Sequence, residues 1–225
     1  MKWTYLILIV GTLLCPLLLS FDKHVRYNKS WKSALFAAFI IAIPFLIWDI
    51  IFTYNGFWGF TPEYLSGLYI YNLPIEEVLF FIVVPFACTF IYEVIKYFFR
   101  SYSMKVFNAA FHMAIPLYAM GLVLISDFGY YTLTVVISSS IILFWQLKSH
   151  DLKFIALAFI LSLVPFFIVN GILTGCCTEE PVVWYSEAQK VAPRLFTIPM
   201  EDILYSYTLV VANILLFERI QRKRS

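Results

Sequence analysis

Charged residues are scarce in this chain, and their scarcity indicates the class of protein. The 225 residues include 16 Lys or Arg and 14 Asp or Glu, or 13% charged, whereas 62% are hydrophobic. A soluble domain is about a quarter charged and nearer half apolar. The excess of apolar side chains therefore predicts a protein that lies in a lipid bilayer. The net charge of +2 is too small to indicate binding to nucleic acid.

Several motifs that carry common enzyme chemistry are also missing. The sequence has no Gly-x-Gly-x-x-Gly motif for a dinucleotide and no phosphate-binding loop. Its four cysteines, Cys15, Cys88, Cys176 and Cys177, have neither the spacing of zinc ligands nor the pattern of a disulfide framework. We therefore predict neither a metal site nor a bound cofactor.

Long apolar runs are abundant, by contrast. A membrane-spanning helix needs about 20 mostly apolar residues. The first run is too long for a signal peptide and lacks a small-residue cleavage site. We predict an all-α integral membrane protein with seven transmembrane helices, over residues 3–21, 33–53, 75–95, 106–126, 130–147, 154–173 and 199–218.

The basic residues predict the orientation of these helices. With seven spans, one side of the membrane holds only Lys2, Lys190 and Arg194, which leaves thirteen of the 16 basic residues on the other side. Cytoplasmic loops carry the excess of Lys and Arg. We therefore predict a protein of the cell membrane, with its N-terminus outside and its C-terminus in the cytoplasm.

The chain repeats itself at an offset of 125 residues. The segment PIEEVLF at 74–80 falls on PMEDILY at 199–205, and upstream, outside this offset, Trp48-Asp49 through Thr53 is weakly echoed by Val169-Asn170 through Thr174. This predicts two units of three helices each with one linking helix between them. Because one helix intervenes, both units cross the membrane in the same direction, and equivalent residues lie at equal depth. The predicted bounds are 1–100 for the first unit, 101–128 for the linking helix and 129–225 for the second unit.

Five acidic residues collect at one predicted depth near the outer surface. Asp49 lies near the outer end of the second helix, and Glu76, Glu77, Glu201 and Asp202 lie in the first turns of the third and seventh helices. Acids in a first turn often only offset the helix dipole, by about 0.3–1 kcal/mol. An acidic pair that occurs twice in a chain short of charge favours a functional site. Clustered carboxyls cannot all ionise cheaply, so the set provides an acid beside a base.

Aromatic residues accompany the acids. We single out Trp58, Phe80, Trp184 and Tyr205 as candidates to bind the substrate, although plain packing or an interfacial belt would also use these residue types. An aromatic face stabilises a cation by about 0.5–2 kcal/mol. An acid, a base and an aromatic lining together suit a carbocation formed inside a membrane.

At these residues the sequence resembles the membrane-type lycopene cyclases. That family includes actinobacterial two-subunit enzymes, archaeal and bacterial single-chain enzymes, and the N-terminal part of fungal bifunctional enzymes. The resemblance covers nearly the whole chain and is carried by Trp48-Asp49, Gly56-Phe57-Trp58, Leu73-Pro74-Ile75-Glu76-Glu77, Phe80-Phe81, Asn170-Gly171-Ile172-Leu173-Thr174, Val183-Trp184-Tyr185, Arg194 and Ile198-Pro199-Met200-Glu201-Asp202.

The resemblance implies a cofactor-independent acid–base cyclisation of the ψ end groups of lycopene, or a related linear carotenoid, to β-ionone rings, as in γ-carotene and β-carotene. We predict Glu76, Glu77 and Glu201 as the acid–base residues, with Asp49 and Asp202 in support. The repeat pairs Glu76 with Glu201, which slightly favours these two as the substrate-facing acids. Association with other carotenoid enzymes is also expected. The type of ring and the number of ends cyclised stay open.

Other functions share the fold class. A retinal-binding photoreceptor needs a lysine inside a span, and no predicted span contains one. A small-molecule transport protein and a non-catalytic carotenoid-binding protein remain as alternatives to the cyclase.

Overall fold

The computed structural model describes residues 2–149 and 153–223, and in these residues seven α-helices make up most of the structure. Each predicted span corresponds to one helix. An apolar run in a bilayer is helical because a helix satisfies all its backbone hydrogen bonds within the segment. The helices are α1 (Thr4–Leu19), α2 (Trp31–Tyr54), α3 (Ile75–Phe98), α4 (Lys105–Ile125), α5 (Tyr130–Lys148), α6 (Ile155–Leu173) and α7 (Glu201–Arg222).

Six of these helices, α2 to α7, are long enough and apolar enough to cross a membrane. Helix α1 is equally apolar but has only 16 residues. At about 1.5 Å per residue it is about 24 Å long, less than the hydrocarbon thickness of about 30 Å. The prediction of an all-α, membrane-type fold is therefore confirmed. The seventh span stays a prediction.

Short strands lie in the loops before α3 and α7, and the sequence analysis did not predict them. Strands of two or three residues are too short to show the alternating pattern by which strands are recognised. In the described residues they are β1 (Trp58–Phe60), β2 (Tyr69–Ile70), β3 (Leu73–Pro74), β4 (Val183–Tyr185), β5 (Arg194–Leu195) and β6 (Ile198–Pro199). The β2–β3 and β5–β6 pairs are antiparallel and local, whereas β1 pairs with β4 between the two halves of the chain.

The order of elements in the first half recurs in the second. Each half has two helices, a strand, a 3₁₀ helix, two more strands and a final helix, with α4 between the halves, and the first half has a further 3₁₀ helix at Tyr27–Ser30 before α2. The β1–β4 pair is symmetric in register. Gly59 lies opposite Trp184, and these two residues are equivalent in the repeat because they are 125 residues apart. A Cβ atom on Gly59 would lie 2.3 Å from the Trp184 indole, so the glycine makes room for this ring. The exact bounds of the two units stay a prediction.

Helices α3 and α7 form the centre of the bundle. Helix α7 is the most buried of the six long helices and α4 the least. Between α3 and α7, the Asn213 side-chain amide donates a hydrogen bond of 2.7 Å to the Thr89 hydroxyl. At the opposite end from the acids, Lys96 Nζ lies 2.9 Å from Glu93 and 2.6 Å from Glu218. These contacts hold the two helices side by side, so their N-terminal first turns meet at one end.

Candidate active site

An elongated cavity of about 610 Å³ lies between α1, α3, α6 and α7. Its volume falls within the range of about 300–1,000 Å³ that is typical of ligand pockets. Helix α3 lines it from Glu77 to Ile91, a distance of about 21 Å at about 1.5 Å per residue. The wall is apolar over most of this length, and the carboxyl groups gather at the Glu77 end. The shape suits a linear, apolar molecule with one reactive end.

Three of the five predicted acids line the polar end. Asp49 comes from the last turns of α2, Glu77 from the first turn of α3 and Asp202 from the first turn of α7. Their side chains are buried, with residue exposures of 1%, 9% and 3%. A buried carboxyl is costly without hydrogen-bond partners, so the partners of each acid indicate its state.

Asp202 is held by three donors. The Tyr131 hydroxyl donates to Oδ1 at 2.5 Å, and the Asn170 amide and the Tyr185 hydroxyl donate to Oδ2 at 2.7 and 3.1 Å. Hydrogen bonds of this kind favour the ionised form of a carboxyl. Asp202 is therefore the cavity acid best arranged to be a carboxylate.

Glu77 is held by one tyrosine in a way that repeats this arrangement. The Tyr5 hydroxyl donates to Glu77 Oε2 at 2.5 Å. Tyr5 is the second residue of α1, as Tyr131 is the second residue of α5. The two halves of the chain thus use equivalent tyrosines to hold the second acid of each pair.

Asp49 has one oxygen bonded and one free. The Trp58 indole N–H and the Thr53 hydroxyl donate to Oδ1, the latter at 3.4 Å. Oδ2 is buried and has no hydrogen-bond partner within residues 2–149 and 153–223. This oxygen is available to carry a proton, and Asp49 lines the cavity.

Glu76 and Glu201 do not line the cavity. Glu76 Oε1 accepts a hydrogen bond of 2.7 Å from the Ser66 backbone N–H, and Glu201 Oε1 accepts one of 2.6 Å from the Val191 backbone N–H. Ser66 and Val191 are equivalent in the repeat, so both acids bind the preceding loop to the start of a helix. Adjacent helical residues point about 100° apart, so only one member of each pair can face the cavity. The slight preference for Glu76 and Glu201 as substrate-facing acids does not match this geometry.

Three of the four predicted aromatic residues line the cavity. Trp58, Phe80 and Tyr205 lie on its wall. Trp184 does not; it is 40% exposed, and its indole covers Gly59. Trp184 belongs to the aromatic Val183-Trp184-Tyr185 segment of the second repeat, but in the structure it packs within the β1–β4 pair.

A cluster of aromatic rings surrounds the acids. The Tyr131 ring centroid lies 5.2 Å from that of Trp58 and 5.8 Å from that of Tyr185. The Tyr205 centroid lies 6.2 Å from that of Trp58 and 5.0 Å from that of Trp48. The polar end of the cavity is therefore bordered largely by aromatic rings.

Tyr185 lies in β4, outside the spans, and its hydroxyl is a donor at neutral pH. Burial raises the pKa of this phenol well above its ordinary value of 10.0, and the nearby carboxylates of Asp202 and Glu77 raise it further. Tyr185 thus donates to Asp202 in the same cavity that Glu77 lines.

Basic residues of the loop between α6 and α7 form a separate ion-pair group. Glu187 lies 2.6 Å from Lys190 Nζ and 2.8 Å from Arg194 Nη2. Hydrogen bonds from Lys190 and then from Arg194 lower the pKa of Glu187 below its ordinary value of 4.5. Arg194 therefore pairs with a loop carboxylate and with none of the five acids. The group stabilises the loop that presents the Val191 N–H to Glu201.

Four cavity residues were missed as site residues by the sequence analysis. Asn170 and Tyr185 are part of the resemblance to the cyclases, but no role was assigned to them. Tyr5 and Tyr131 are 126 residues apart rather than 125, so the offset that aligns the acids hides their equivalence. A comparison of the tyrosines near the start of the first predicted span in each unit would have found them.

The fold and the site define a helical membrane protein with a buried acidic cavity and a repeated architecture. The family model described as lycopene cyclase matches residues 2–95 and 126–220. The chain belongs to the lycopene cyclase family, and the two matched regions show two copies of the family's domain. The resemblance proposed from the sequence is confirmed. No curated protein and no solved structure matches the chain.

Proposed function

We propose that the protein cyclises the ψ end groups of lycopene, or a related linear carotenoid, to β-ionone rings without a redox cofactor. Membership of the lycopene cyclase family supports a linear carotenoid as the substrate. The observation that carries the proposal is the convergence of Asp49, Glu77 and Asp202 at one end of an otherwise apolar cavity.

The reaction needs one proton donor and one proton acceptor. A carboxyl on the side of Asp49 and Glu77 donates a proton to the terminal double bond of the substrate, which leaves a tertiary carbocation. An internal double bond attacks this cation and closes a six-membered ring. The Asp202 carboxylate removes a proton from the ring and so forms the new double bond. The product is an isomer of the substrate, and the acids exchange the proton to restore the starting state.

The cavity wall stabilises this cation and protects it from reaction with water. Trp58, Tyr131 and Tyr205 line the cavity beside the acids, and an aromatic face stabilises a cation by about 0.5–2 kcal/mol. The remaining wall is apolar, so water that would trap the cation is excluded.

The purified protein in liposomes should convert lycopene to a cyclic product of unchanged mass without added flavin or nicotinamide. The physical reason is that the ring closure conserves atoms and moves no electrons. Pigment chromatography and mass spectrometry would measure it, with empty liposomes as the control. An absolute requirement for a redox cofactor would contradict the mechanism. Stable binding of carotenoid with no new product would favour the non-catalytic carotenoid-binding alternative, and movement of a solute would favour transport.

The orientation of the chain is proposed from the distribution of its basic residues, with the acids near the outer surface. Cys176 and Cys177 are exposed in the loop after α6. A membrane-impermeant maleimide applied to intact cells should therefore label this pair, and a reporter fused to Ser225 should be active only in the cytoplasm. The variant without this pair, Cys176→Ser with Cys177→Ser, is the control. An outward reporter would show that the number of spans is wrong.

A further inference from the structure

One stripe of α1 belongs both to the cavity and to the outer surface of the bundle. Ile7, Gly11 and Cys15 are spaced four residues apart, so they lie on one face of the helix. All three line the cavity, and all three are exposed, Ile7 by 57% of its surface. Residues that meet both conditions mark the margin of an opening.

The other margin of this opening is on α6. Ile168 lines the same cavity and is 60% exposed. The rest of the α1 and α6 surface is apolar, with Val10 and Val164 also exposed. A face of this composition, on helices of a membrane protein, is in contact with lipid chains. The cavity thus opens sideways, between α1 and α6, toward the hydrocarbon.

The outer end of the cavity is covered. The β1–β4 pair passes over the acids, where Trp58 is buried, and Val182 just before β4 is fully buried. A linear carotenoid is insoluble in water and is dissolved in the bilayer. A substrate dissolved in the bilayer therefore reaches the cavity through the lateral opening between α1 and α6.

We propose that the carotenoid enters the cavity directly from the bilayer through the opening between α1 and α6, and that Gly11 sets the width of this opening. The proposal rests on the proposed function for the identity of the ligand. At Gly11 an added Cβ would meet no described atom within 4 Å, so the open space there belongs to the passage rather than to a helix contact. The side chain of a larger residue would project into that space.

Gly11→Phe should therefore lower the initial rate of cyclisation in liposomes at least tenfold, at protein levels matched by immunoblot. Gly121→Phe is the matched control, because Gly121 is also an exposed helical glycine with no described atom within 4 Å of an added Cβ, and it lies on α4 away from the cavity. Its rate should stay within twofold of the unaltered protein. An unaltered rate for Gly11→Phe would overturn the proposal.

A second measurement does not depend on turnover. In a protein whose only cysteine is Cys15, lycopene in the liposomes should slow labelling by a small uncharged maleimide at least threefold. Leu14→Cys combined with Cys15→Ser is the control, because Leu14 is exposed beside the opening without lining the cavity. Equal labelling of Cys15 with and without lycopene would contradict entrance at this side. Protection of Cys15 in a protein that makes no product would support this route while refuting the cyclase function.

Discussion

Glu77→Gln and Asp202→Asn should each lower the turnover of cyclisation about 100-fold or more, which is the usual loss when a general acid or base is removed. Each amide keeps the shape of the acid it replaces and can still accept the hydrogen bond from Tyr5 or Tyr131. The loss would therefore report proton transfer rather than a change of packing. Initial rates in liposomes, divided by the amount of folded protein, are the measurement.

The first acid of each pair supplies the matched control. Glu76→Gln and Glu201→Gln alter carboxylates that accept backbone N–H groups of the preceding loops and do not line the cavity. These variants should lower thermal stability in detergent, while the turnover of each folded molecule stays within about tenfold of the unaltered protein, because they touch the loop and not the substrate. Full activity in Glu77→Gln and Asp202→Asn would refute the site. Loss of turnover in well-folded Glu76→Gln and Glu201→Gln would instead support Glu76 and Glu201 as the substrate-facing acids, as the repeat slightly favours.

Trp58→Phe should lower turnover about 10- to 100-fold with little change in KM. The substitution keeps an aromatic ring in the cavity wall but removes the N–H that donates to Asp49 Oδ1. Asp49 becomes charged when it gives up its proton, and a hydrogen bond to a charged group contributes about 1.5–3 kcal/mol, where about 1.4 kcal/mol corresponds to a tenfold change in rate. Without this donor, the Asp49 carboxylate that forms in the reaction is less stable. Initial rates over a range of lycopene concentrations separate turnover from KM.

The control for this variant is Trp48→Phe. Trp48 packs on Tyr205 as Trp58 does, but its indole N–H has no hydrogen-bond partner in the described residues. Its replacement by Phe removes aromatic area without removing a hydrogen bond, so turnover should fall less than fivefold. Equal losses in the two variants would show that ring packing, and not the bond to Asp49, accounts for the effect.

The helices and the repeat could be predicted from the sequence because both are local features. A run of about 20 apolar residues has little choice but to be helical in a bilayer, since only a helix satisfies its own backbone there. The segments PIEEVLF and PMEDILY place their acids in first helical turns regardless of what the helices pack against. That Asp49 lies near the same level also followed, because it ends a helix on the same predicted side.

Which acids face the cavity was decided by the tertiary structure. Glu76 and Glu77 are adjacent and chemically alike, and the rotation of α3 about its axis depends on its packing against the other helices. The same holds for the tyrosines, because Tyr5 reaches Glu77 across 72 residues and Tyr131 reaches Asp202 across 71. The β1–β4 pair and the opening between α1 and α6 likewise join segments far apart in the chain. No local pattern reports such contacts, because they depend on how close-packed helices fill the space between them.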